Sequence, residues 1–87
     1  MNLIFEDRAK LDFAYWKKAD PKKAKKIGRL IDDIIDSPFS GLGQPEALKH
    51  EFSSCWSRRI DREHRLVYYV EGNAVVIVQC RFHYAKG

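Results

Sequence analysis

The feature that most constrains this chain is a change of hydrophobic period near its middle. Ala24, Ile27, Leu30, Ile31, Ile34 and Ile35 recur at the spacing of one helix face. Asp20 is placed to cap that helix, and Pro21 fits its first turn, where the backbone needs no donor. Pro38 stops it near Asp36. A loop broken by Gly41, Gly43 and Pro45 follows. From Ala47 onward the period shortens toward two. Residues 56–61, 65–70 and 74–84 predict three strands, with turns at 61–64 and 71–73, the second marked by Gly72-Asn73.

Ahead of the helix, residues 2–5 form an apolar run that fits a first strand. Glu6 and Asp7 then open a helical stretch to about Lys18, where acidic groups suit the positive end of the dipole. Ala9, Phe13 and Trp16 fall at helical spacing, broadened by Leu11 and Tyr15. The expected architecture is α+β: an N-terminal strand and two helices packed on one face of an antiparallel sheet. At 87 residues this is a single domain with a single core.

A net charge of +4 and a pI near 9.2 favour a polyanionic partner without naming it. Lysines crowd between Lys10 and Lys26, while Arg58, Arg59, Arg62, Arg65 and Arg81 dominate the second half. Arginines on short strands suit planar, bidentate phosphate contacts. Lys22, Lys23, Lys25 and Lys26 sit early on their helix, against the dipole's preference, and solubility is the plain account of them. Cys55 and Cys80 have no ligand-like spacing, so no metal or cofactor is expected and both read as small apolar residues in a reducing compartment. No apolar run is long enough to span a bilayer, and the N-terminus lacks signal-peptide regions, so the expected location is the cytoplasm.

Strand alternation sorts the charged side chains. Leu66, Tyr68 and Val70, with Val76, Val78 and Cys80, form the apolar face expected under the helices. The opposite face then carries Arg59, Arg65, Arg81 and His83 at one end of the sheet, beside Val75 and Ile77. Glu46, Lys49 and His50 reach that surface from its edge. Glu46, Arg65 and His83 together supply a carboxylate, a permanent cation and an imidazole. That set is sufficient for metal-free cleavage of RNA: one group takes the 2′-hydroxyl proton, one steadies charge on phosphorus, one protonates the leaving oxygen. Taken singly, each has an ordinary explanation: a solvated loop carboxylate, a surface ion pair with Glu63 and an inert terminal histidine.

The runs Ser37-Pro38-Phe39, Gly43-Gln-Pro-Glu-Ala-Leu-Lys-His50, Trp56-Ser-Arg-Arg-Ile60, Glu63-His-Arg-Leu-Val-Tyr68 and Cys80-Arg-Phe-His-Tyr84 resemble the YoeB/Txe family of the RelE/ParE toxin superfamily. The likeness runs from the first strand through Tyr84. It implies a microbial-ribonuclease-like fold and a ribosome-dependent mRNA endonuclease inhibited by a cognate antitoxin, with a homodimer in prospect and no membrane. By matching motif, Glu46 looks like the general base, His83 the general acid and Arg65 the group stabilising the transition state. Lys49, Arg59 and Tyr84 look like phosphate or base contacts. Family members often stop at the His-Tyr pair, whereas this chain continues through Ala85-Lys86-Gly87.

The implied reaction transfers the RNA phosphodiester to its own 2′-hydroxyl, leaving a 2′,3′-cyclic phosphate or its 3′-phosphate product. Two other readings stay open: a ParE-like toxin acting on a topoisomerase without nuclease chemistry, and a basic RNA-binding module supported by charge alone.

Overall fold

The computed structural model of this protein describes residues 1–83. The expectation placed on Tyr84 therefore lies outside the described residues. Strand β1 (Asn2–Phe5) leads into helices α1 (Asp7–Ala19) and α2 (Pro21–Asp36); then come β2 (Glu46–Ala47), β3 (Trp56–Arg59), β4 (Arg65–Glu71) and β5 (Ala74–Gln79). The sheet order is β1-β5-β4-β3-β2. The α+β expectation holds, but the sheet is mixed: β1 pairs parallel to β5, and the other neighbours are antiparallel. Among the described residues no helix is long and apolar enough to cross a membrane.

Helix α2 buries Ala24, Ile27, Leu30, Ile31 and Ile34, as its periodicity dictates. Burying each of Ile27, Leu30, Ile31 and Ile34 contributes about 1.5–3 kcal/mol. Asp20 stands at the helix start, yet its carboxylate caps nothing; its backbone carbonyl accepts from the Lys23 and Ala24 N–H groups. Lys23 has a specific task instead, an ion pair with Asp61 in the turn before β4. Leu11 is exposed, and Tyr15 is covered on one side by the Arg81 guanidinium, 3.5 Å from the ring centroid.

The core-facing sheet residues include Leu66 and Tyr68 from β4, Val75 and Ile77 from β5, and Cys80 just beyond. This corrects the sorting of the last strand. Val75 and Ile77 belong to the core, not to the open face, because β5 carries a bulge. Val67 pairs with Gln79 but Tyr68 pairs with Ile77, so Val78 is an extra residue that reverses the alternation. Cys80 then points inward as expected, where burial and the nearby Asp12 carboxylate push its thiol up to about 12. The strand also ends at Gln79, five residues earlier than the pattern suggested.

Candidate active site

Cross-strand register builds the site. On the face away from the helices, Glu46 lies opposite Ser57, Ser57 opposite Val67 and Val67 opposite Gln79. One step along, Arg59 lies opposite Arg65. These two rows floor an open cleft of about 520 Å³, lined by Gln44, Pro45, Glu46, Ser57, Arg59, Arg65 and His83. Residues separated by up to 39 positions thus share one concavity, with two permanent cations set against one carboxylate and one imidazole.

Glu46 is delivered by a loop that is tightly specified. Arg58, fully buried, donates from Nε to the Tyr68 hydroxyl, from Nη1 to the Asp33 carboxylate and to Leu42 O, and from Nη2 to Ser37 O and Ser40 O. Tyr68 in turn donates to Pro38 O at 2.6 Å. The backbone N–H of Leu42, with Arg58, draws the Asp33 carboxyl below its ordinary range. The loop then closes onto β3 through the Arg59 N–H, which donates to Gly43 O at 2.7 Å. Gly43 has φ +80°, and a Cβ there would meet Leu30 Cδ2 at 3.0 Å and Arg58 Cβ and Arg59 O at 3.2 Å. A side chain here would be both strained in the backbone and crowded by its neighbours.

Arg65 is held from behind. Its Nη1 donates to Asp61 O at 2.8 Å, His64 O at 3.1 Å and Arg62 O at 3.3 Å. At 8% exposure the side chain is nearly sunk, yet it still lines the cleft. Glu46, Arg59 and His83 are exposed. Such an arrangement presents one preset guanidinium to an anion while leaving the acid–base groups accessible.

Not every sequence candidate arrives. Lys49 is exposed and stands just before a single 3₁₀ turn at His50–Phe52; neither it nor His50 lines the cleft. Arg81 turns toward α1, between the rings of Tyr15 and Phe82, because the bulge and a left-handed Phe82 carry it off the open face. Arg58 is no phosphate ligand but the hub of the loop. Gln44 and Ser57, which line the cleft, carried no chemical signal in the sequence beyond their proximity to Glu46 and Arg59.

A family model described as "YoeB-like toxin of bacterial type II toxin-antitoxin system" matches residues 5–84. The toxin YoeB of Escherichia coli strain K12 is 48% identical over 84 residues, covering 97% of this chain and all of the relative. The structure described as "YoeB/ParE toxin from Agrobacterium tumefaciens" superposes with a TM-score of 0.94 at 42% identity, covering 97% of this chain and 100% of that one. The Staphylococcus aureus YoeB is similar both in a YoeB–YefM complex (TM-score 0.89, 39% identity) and as a YoeB dimer (TM-score 0.90, 40% identity). Each covers 97% of this chain and 98% of its own.

Proposed function

Because this chain belongs to the YoeB-like toxins of bacterial type II toxin–antitoxin systems, we propose that it is a metal-independent endoribonuclease that cuts mRNA on the ribosome. The observation that supports this reading is the meeting of Glu46, Arg59, Arg65 and His83 around one open cleft. Glu46 takes the proton of a ribose 2′-hydroxyl as that oxygen attacks the adjacent phosphorus. The phosphorus–5′-oxygen bond breaks, and His83 protonates the departing oxygen. Arg65, with Arg59 across the sheet, stabilises the charge gathering on the phosphoryl oxygens. The nucleophile is already tethered to phosphorus, so alignment and proton transfer are the enzyme's main tasks. The products are a 2′,3′-cyclic phosphate, or its 3′-phosphate hydrolysis product, and a 5′-hydroxyl. Lys49 and Tyr84 are proposed as outer contacts to the RNA.

By likeness to the S. aureus complex, we propose a cognate antitoxin as the inhibitory partner, and a homodimer by likeness to the S. aureus dimer. The site of action is the cytoplasm, where translating ribosomes present the mRNA. The test is to map mRNA ends in a purified translation reaction. The parent protein gives discrete cuts, and Glu46→Ala and His83→Ala each lower the cleavage rate by about 10²–10⁴-fold. Adding antitoxin abolishes the cuts. Undiminished cutting by both variants would refute the mechanism, and DNA breaks without RNA ends would point to a topoisomerase poison instead.

A further inference from the structure

The chain that carries His83 leaves the sheet before it reaches the cleft. The last β4–β5 pair is Val67 with Gln79, so residues 80–83 are held by something other than the ladder. Phe82 adopts φ +67°, a left-handed conformation that a bulky side chain rarely takes and that its surroundings must enforce. Its peptide groups are gripped from both directions. The Phe82 N–H donates to His64 Nδ1 at 2.7 Å, and Phe82 O accepts from the Arg65 N–H at 2.9 Å. Gln79 Nε2 adds bonds to Arg81 O at 3.1 Å and Phe82 O at 3.3 Å.

Resting on the ribonuclease reading, we infer that His64 is a positioning residue: its Nδ1 locks the Phe82 peptide and so sets His83 at the cleft. The ring is itself immobilised. It is 9% exposed and stands edge-on to Trp16, with centroids 4.8 Å apart at 82°. Trp16 is tied to the same segment, its Nε1 donating to Cys80 O at 2.7 Å, while the Asp12 carboxylate accepts from the Cys80 N–H. The His64 N–H is taken by Asp61 Oδ1 at 2.7 Å. Since Nδ1 accepts, the ring hydrogen belongs on Nε2, which faces Glu63 Oε1 at 3.8 Å. With Nδ1 committed to a backbone N–H and the ring outside the cleft lining, His64 is not the proton donor. Its neighbour Arg65 reaches the cleft by its side chain and the tail by its backbone. The dipeptide His64-Arg65 therefore couples the cation to the imidazole.

The experiment compares the parent with His64→Asn and His64→Gln, two polar replacements of similar character. Asn keeps an acceptor oxygen where Nδ1 stands, whereas Gln moves it one bond outward. Steady-state cleavage kinetics and hydrogen exchange at the Phe82 amide are measured on each, with the Trp16 indole N–H signal reporting an intact fold. Asn retains both kcat and amide protection. Gln loses about tenfold to a hundredfold in kcat with KM little changed, the mark of a displaced reacting group, and its Phe82 amide exchanges about tenfold faster. Parent-like cleavage by His64→Gln overturns the inference, as does parent-like exchange at Phe82. The exchange measurement needs no cleavage, so it decides the clamp even where the ribonuclease reading fails.

Discussion

Arg58 and Arg59 are neighbours in sequence with opposite duties. The Arg58 guanidinium sits under the sheet, donating to a tyrosine hydroxyl, a carboxylate and three loop carbonyls. Arg59 faces the cleft on the other side. Replacing Arg58 by Met leaves the carbonyls of Ser37, Ser40 and Leu42 without their donor. We expect a loss of about 2–4 kcal/mol, read from urea unfolding, together with weaker cleavage because the loop delivering Glu46 slackens. At Arg65, exchanging the guanidinium for lysine keeps the charge but loses the anchored fork, so Arg65→Lys lowers kcat at least as sharply as it weakens RNA binding.

Among the elements, Gly72 and Gly43 separate backbone strain from crowding. Gly72, φ +58°, closes the β4–β5 hairpin with nothing within 4 Å of an added Cβ, whereas Gly43 is both left-handed and enclosed. Gly72→Ala should cost about 1 kcal/mol, and Gly43→Ala about 2–3 kcal/mol, the excess being the clash with Leu30 and the Arg59 carbonyl. Equal losses in chemical denaturation would show that enclosure contributes nothing.

Both helices and the hairpin strands were legible because their periods differ and because proline and glycine punctuate them. The bulge was not, and the reason is physical: Ala74-Val-Val-Ile-Val78 is apolar at every position, so alternation has no polar partner by which to fix its phase. Parallel pairing of β1 leaves no local signature either. Glu46, Arg59, Arg65 and His83 lie in recognisable motifs and line one cleft. Lys49, although in the same motif as Glu46, is carried away once β2 gives way to the 3₁₀ turn. The His64 and Gln79 side chains bond the backbone of residues 81 and 82, a role that sequence chemistry does not announce.

Across the whole molecule, the Lys23–Asp61 pair ties α2 to the turn that supports Arg65. Burial pushes the Asp61 carboxyl up, but the Lys23 ammonium and the N–H groups of His64 and Glu63 outweigh it and bring it down to about 2. A carboxyl depressed in the folded state stabilises fully above its unfolded value of 3.8 and loses that contribution as pH falls toward 2. Stability of the parent should therefore drop through this window, and Asp61→Asn should flatten that part of the curve in urea titrations. An unchanged slope would mean that other carboxylates govern acid unfolding.

Parallel pairing of β1 also decides where the protein tolerates attachments. Asn2 aligns with Ala74, its N–H bound to Asn73 O, at the end of β5 remote from His83. A purification tag or fluorophore joined ahead of β1 hangs from that remote end, whereas the segment after β5 leads straight to the cleft imidazole. Handles for surface capture or single-molecule work thus belong at the amino end.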